Sequence, residues 1–269
     1  MPLKLAIGGL GAIGMTVASR IDDGELPGIT LAAVSARDLD KARNKLARLK
    51  HMPLLVSLAE LADHADVVLE SVPARYFTEI AEPAVAKGRI LMPLSVGQLL
   101  TNMHLVERAK ATGARILVPT GALLGLDAVR AVAEGNVRSV RILTRKPPRG
   151  IAGAPHLVRN GISVDGLTAP LKVFEGTARE AIAGFPANVN VAVALSLAGI
   201  GPDRTMIEIW ADPAVDRNIH TIEVRSDSSD LSMTIANIPT EENPATGKIT
   251  ALSAIAALKR LTAPLVVGT

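Results

Sequence analysis

Along the first 119 residues, short apolar runs alternate with longer stretches in which apolar and polar positions are mixed. The runs at 3–7, 29–34, 66–71, 89–93 and 115–118 are too brief for helices and almost uniformly apolar or β-branched. That is the pattern of strands buried on both faces of a parallel sheet. Between them, helices are predicted at 13–22, 40–50, 76–87 and 99–112. Strand and helix in strict alternation predict an α/β fold with a doubly wound parallel sheet.

After Pro119 the texture changes. Segments 137–144, 171–174, 205–210, 219–225 and 231–238 read as strands, several joined by short polar turns such as residues 226–230. Hairpins and a mostly antiparallel sheet follow from this, in a second α+β domain. Thr177 and Glu180 have the spacing of a capping box, in which the hydroxyl and the carboxylate satisfy free N–H groups at a helix start. Another helix is predicted to open near Pro186, and a last one covers about 249–261.

Gly9-Leu10-Gly11-Ala12-Ile13-Gly14 fits G-x-G-x-x-G, and it stands between a predicted buried strand and a predicted helix. In that setting Gly9 permits the tight turn, Gly11 lets backbone approach a pyrophosphate, and Gly14 lets helix and strand pack closely. The N–H groups at the helix start, at Ala12 and Ile13, together with the helix dipole, favour the phosphates. A bound dinucleotide is therefore expected. The second strand should end in an acidic residue that binds the ribose diol, but Ser35-Ala36-Arg37-Asp38 stands there. Ser35 and Arg37 suit a 2′-phosphate and Asp38 a ribose hydroxyl, so NAD and NADP both remain open as cofactor. The expected organisation is a dinucleotide-binding Rossmann-type domain at 1–119 and a substrate and catalytic domain at 120–244. The helix within 245–269 is expected to pack back on the first.

Composition removes alternatives. Aromatic residues make up 2% of the chain and the net charge is only +3, with Lys and Arg scattered, which argues against a nucleic-acid surface. The absence of cysteine excludes disulfides, thiolate nucleophiles and Cys-based metal sites, and no metal site is expected. The apolar run at 189–201 is too short to span a bilayer, and the N-terminal residues do not follow the order of a signal peptide, so a cytoplasmic location without membrane partners is expected.

Several motifs carry a resemblance along the whole chain. They are Phe174-Glu175-Gly176-Thr177-Ala178 with Phe185-Pro186-Ala187-Asn188-Val189-Asn190, then Arg217-Asn218-Ile219-His220, then Asn243-Pro244-Ala245-Thr246-Gly247. The glycine loop, Pro119-Thr120-Gly121-Ala122-Leu123-Leu124-Gly125 and Thr144-Arg145-Lys146-Pro147-Pro148 complete the set. Together they resemble the L-aspartate dehydrogenase family, which is similar in architecture to dihydrodipicolinate reductases and homoserine dehydrogenases. The resemblance implies oxidation of L-aspartate to iminosuccinate with NAD or NADP, a product that can feed NAD synthesis. It makes His220 the catalytic residue and puts Ala122 and Asn190 beside the cofactor. Thr120 stands where Ser is more usual, and the change keeps a hydroxyl.

Weighed by itself, His220 shares a strand face with Ile222 and Val224, where a histidine is often a satisfied core residue. Its place at the strand's start is where a side chain reaches a cleft. His51, His64, His104 and His156 lie in no comparable motif. A histidine exchanges protons near neutral pH, so His220 is expected to act as general base on the substrate ammonium or on a water that attacks the imine. Asn188 and Asn190, two apart, cannot face one site from the same helix. Arg145, Lys146 and Lys248 are the candidates for the carboxylates of a small dicarboxylate amino acid. A homodimer or higher homo-oligomer is expected. Two other readings stay open: a reductase of another small amino or keto acid, of the dihydrodipicolinate-reductase kind, and a catalytically silent NAD(P) sensor. The first lacks the His-His-x-x-x-x-Lys cluster such an enzyme should carry.

Overall fold

The apolar runs of the first half become parallel strands: β1 (Leu3–Gly8), β2 (Ile29–Ser35), β3 (Leu54–Leu55), β4 (Val67–Glu70), β5 (Ile90–Pro93) and β6 (Arg115–Ile116). They pair in the order β3-β2-β1-β4-β5-β6, every pair parallel. The computed structural model describes residues 1–186, 189–242 and 246–268. Two units emerge, Met1–Pro119 with Thr250–Val266, and Thr120–Ile249 with the last few residues.

The first unit's helices are α1 (Ala12–Asp22), α2 (Leu39–Leu46), α3 (Phe77–Ala86), α4 (Gly97–Thr101) and α5 (His104–Thr112). The single helix predicted over 99–112 is thus two. Asn102 leaves helical geometry at φ −128°, and its side-chain amide donates to Gln98 O at 2.8 Å, taking the carbonyl that a continuing helix would use. The two-residue edge strand β3 left no mark in the pattern. Helix α2 stops early because the N–H groups of Lys50 and His51 turn to the Asp22 carboxylate at 2.6 and 2.9 Å.

The second unit contains α6 (Leu126–Ala133), β7 (Val137–Lys146), α7 (Pro155–Arg159), β8 (Leu171–Thr177), α8 (Ala178–Gly184), α9 (Asn190–Ala198), β9 (Thr205–Ala211), β10 (Ile219–Ser226) and β11 (Asp230–Ala236). The five strands pair in the order β11-β10-β7-β9-β8. All neighbours are antiparallel except β7 and β9, whose parallel pairing is made possible by the crossover through β8, α8 and α9. The turn between β10 and β11 is a hairpin, closed by Ser226 Oγ accepting from Ser229 N at 2.9 Å. Thr177 and Glu180 form the expected capping box at the head of α8. The helix expected near Pro186 begins instead at Asn190. Phe185 is buried against the Phe174 and His156 rings, with centroids 5.5 and 5.3 Å away, and lies at φ −138°, ψ 52°. A residue before proline is disfavoured in helical geometry, which keeps the chain extended there. Asn188 and Asn243 lie outside the described residues.

Alternation divides the second sheet into a covered and an open face. Val140, Ile142, Thr144 and Lys146 of β7 and His220, Ile222, Val224 and Ser226 of β10 are all buried. The intervening residues are exposed or half-buried. The final helix, α10 (Lys248–Thr262), sends Ala254, Ile255 and Leu258 into the first unit's core with Leu5, Ile7, Val17, Leu46 and Leu69. Thr262 Oγ1 fastens its end to Pro27 O at 2.9 Å. No helix among the described residues is long and apolar enough to cross a membrane.

Candidate active site

At the end of β1 the chain turns at Gly9, whose φ of +95° is open to glycine and disfavoured for L side chains. A Cβ there would lie 2.6 Å from Ser71 O. A Cβ on Gly14 would lie 2.0 Å from Gly9 O, so the first turn of α1 presses directly on the loop. Gly11 differs: a Cβ there would meet nothing within 4 Å. The protein's own packing therefore gives no reason for glycine at this position, whereas a ligand laid on the backbone does. The first bond of α1 runs from Met15 N to Gly11 O at 2.9 Å, which leaves the N–H groups of Ala12, Ile13 and Gly14 at the helix mouth. Lys45 Nζ donates to Leu10 O at 2.8 Å, and Gly9 N to Ser35 O at 2.8 Å, fixing the loop from the β2 side.

Ser35 is buried at the end of β2, and Arg37 is exposed beyond it. The Asp38 carboxylate accepts from Lys41 N at 2.9 Å and caps α2. Nearby, the Glu70 carboxyl is fully buried at the end of β4 and accepts from Ser95 N, Ser95 Oγ, Val72 N and Leu94 N at 2.9–3.2 Å. These four bonds tie the loops that leave β4 and β5. Burial outweighs them and pushes the carboxyl above its ordinary range.

In the second unit, three buried polar side chains meet on the covered face of the sheet. His220 pairs across the strands with Thr144, and Thr144 Oγ1 lies 2.9 Å from its Nδ1. Lys146, one alternation further along β7, is 5% exposed, and His220 is 2% exposed. Burial pushes Lys146 down to about 8. Burial, with the Lys146 charge added, pushes His220 down to about 3. The imidazole is thus neutral at neutral pH, beside an ammonium group held out of water.

The sequence itself is similar to proteins of known kind. Residues 127–261 match the family model described as "Aspartate dehydrogenase, C-terminal", and residues 9–119 match "Homoserine dehydrogenase, NAD binding domain". An L-aspartate dehydrogenase of Bradyrhizobium diazoefficiens is 54% identical over 99% of this chain and 94% of its own. The L-aspartate dehydrogenase 3 of Bordetella bronchiseptica is 52% identical over 99% of this chain and 98% of its own.

The chain belongs to the L-aspartate dehydrogenase family.

The crystal structure of aspartate dehydrogenase from Thermotoga maritima has the same fold, with a TM-score of 0.74 at 21% identity and full coverage of both chains. Within this family frame, the second unit brings His220 and Lys146 together and leaves two other sequence candidates elsewhere. Arg145 pairs with Ile219, on the face opposite His220, and its guanidinium is bound to Asp212 at 2.8 Å and stacked over Trp210. It therefore does not share the covered face with His220 and Lys146. Lys248 is exposed at the start of α10 and lies 3.6 Å from Glu241. Asn190 is the first residue of α9. The Ala122 carbonyl accepts from Asn237 Nδ2 at 3.0 Å.

Three buried polar residues of these regions, Thr144, Glu70 and Asn237, were not singled out from the sequence. Thr144 was within reach: the alternation that placed His220 also places its cross-strand neighbour. Glu70 carries a weaker signal, a lone acid ending an apolar strand. Asn237 gives none, since its partner is 115 residues away.

Proposed function

We propose that this chain is an NAD(P)-dependent L-aspartate dehydrogenase, catalysing reversible oxidative deamination of L-aspartate to iminosuccinate, which hydrolyses to oxaloacetate and ammonia. The observation that carries the reading is the buried His220–Thr144–Lys146 cluster in a chain 54% identical, end to end, to an L-aspartate dehydrogenase. In the first unit, Gly9, Gly11, Ala12, Ile13 and Gly14 hold the dinucleotide phosphates. Ser35 and Arg37 receive the adenosine ribose or its 2′-phosphate. In the second unit, Ala122 contributes backbone and Asn190 its side chain to the cofactor. The open space at Gly11 is what such a ligand requires.

When bound, the nicotinamide accepts the hydride that leaves Cα. The protein's own residues handle charge and protons. Lys146 pairs with a substrate carboxylate, which offsets the lesser of the two causes that oppose protonation of His220, burial being the greater. In the tautomer whose Nδ1–H donates to Thr144 Oγ1, Nε2 is free of its proton and is the atom that takes one, from the substrate ammonium or from the water that attacks the imine.

The reading includes a homodimer in the cytoplasm. Leu143, Met206 and Trp210 on the open face of the second sheet support self-association, and sedimentation at increasing concentration tests it. The activity is tested by following NAD(P)H consumption with oxaloacetate and ammonia. Consumption of cofactor dependent on both substrates is expected. Cofactor binding with no turnover under any condition would leave the silent-sensor reading instead.

A further inference from the structure

Asn237 follows β11 directly and is 4% exposed. Its backbone N–H donates to Asn218 O at 2.8 Å, which continues the β10–β11 ladder by one step. Since His220 pairs with Ile235, alternation puts the Asn237 side chain on the covered face with His220, Thr144 and Lys146. Its Nδ2 donates to Ala122 O at 3.0 Å. A carbonyl accepts and does not donate, so this bond fixes which way round the amide stands. Oδ1 must face away from Ala122, and there it is buried with no hydrogen-bond partner, alone in this among the described residues. Buried acceptors are almost always satisfied, and an exception calls for a cause.

Gly247 supplies the second observation. A Cβ at that position would lie 3.2 Å from Asn237 Oδ1. Its backbone is not in the left-handed region that demands glycine, and the added carbon would also lie 3.3 Å from Asn237 Cβ and 3.4 Å from its Cγ, so the glycine lets the chain pass close against this whole side chain, Oδ1 included.

We propose that Asn237 Oδ1 is the acceptor for an N–H group of a bound reactant, while Nδ2 holds the Ala122 segment in place beside it. The inference rests on the dehydrogenase reading for the identity of the reactants. Two of them carry N–H donors, the amine of aspartate and the carboxamide of the nicotinamide, and the same acceptor chemistry serves either.

The test uses the full-length protein with two substitutions that act differently. Asn237→Ala removes both bonds. Gly247→Ala leaves the Asn237 amide in the chain and presses a methyl group on its Oδ1, Cβ and Cγ. For each, the melting temperature, the Kd for NAD(P)H by fluorescence, and KM for L-aspartate are measured. A cofactor analogue with an acetyl group in place of the carboxamide is compared with the natural one. Both variants are expected to weaken one reactant by about tenfold or more. If the donor is the substrate amine, KM for aspartate rises and the dinucleotide Kd stays. If it is the carboxamide, Kd rises and the wild-type preference for the natural cofactor over the acetyl analogue disappears. Kd and KM within about twofold of wild type in Gly247→Ala would overturn the proposal, even if Asn237→Ala lost stability, because Asn237 would then only hold the loop. A wild-type protein without turnover would instead refute the dehydrogenase reading, and the NAD(P)H titrations would still be readable.

Discussion

Thr144 Oγ1 lies 2.9 Å from His220 Nδ1, and neither side chain is more than marginally exposed. The pair spans two neighbouring antiparallel strands, so ring orientation is set by the sheet rather than by a loop. Thr144→Val keeps the shape and removes the bond. kcat is expected to fall by about tenfold, equivalent to roughly 1.4 kcal/mol of transition-state stabilisation. KM for aspartate should change little, and Thr144→Ser should restore most of the rate. Steady-state kinetics on the three proteins checks this.

His220→Ala removes the proposed base. Turnover should drop by at least about 10², the usual lower bound for losing general acid–base catalysis. The Kd for NAD(P)H, by fluorescence titration, should stay within a few-fold of wild type. Survival of most of the turnover would remove His220 from the mechanism.

The depressed proton affinity of His220 makes stability depend on pH with a definite sign. Folded, the imidazole resists protonation down to about 3, whereas the unfolded one protonates near the ordinary histidine value of 6.5. Unliganded protein should therefore lose unfolding free energy as pH falls from 6.5 toward 3. Lys146 acts likewise in another window: stability rises from about pH 8 to about 10.5, where the unfolded lysine still holds its proton. Urea denaturation across pH reads both limbs, and His220→Leu should flatten the part of the acid limb above the carboxylate range.

Two glycines of the same loop should fail in different ways. Gly14→Ala drives a Cβ to 2.0 Å from Gly9 O, and the fold should lose on the order of 1–3 kcal/mol through overpacking. Gly11→Ala meets nothing within 4 Å, so its melting temperature should match wild type while dinucleotide affinity falls about tenfold or more. Thermal melts with and without cofactor separate the two.

Arg37→Ala should lower kcat/KM for NADP by about tenfold relative to NAD, because a phosphate loses its charged partner. The Asp38 carboxylate is already engaged as the cap of α2, so it competes poorly for a ribose diol. An unchanged cofactor ratio would show that Arg37 is an ordinary surface charge.

The parallel sheet was legible because a strand buried on both faces leaves a near-uniform apolar run, as in residues 67–69. The hairpin at Ser226 and the capping box at Thr177 were legible because their chemistry is local. What escaped depended on single side-chain contacts that leave no periodic mark in the sequence. The break between α4 and α5 rests on one Asn102 hydrogen bond, and the late start of α9 on the anchoring of Phe185 by two rings. Arg145 is a different kind of miss. Adjacent strand residues point to opposite faces, so Arg145 and Lys146 were never able to serve the site together, and the sequence already contained that fact.

The core of the first unit needs Ala254, Ile255 and Leu258, yet residues 120–249 come between them and the strands they cover. At an elongation rate of roughly 5–20 residues per second, a ribosome takes about 6 to 26 seconds to make that stretch. During this interval the newborn sheet has an uncovered apolar flank, and it depends on chaperones or its own slow collapse. A nonsense or frameshift mutation that removes residues 250–262 would therefore strike at a sheet more than 130 residues upstream.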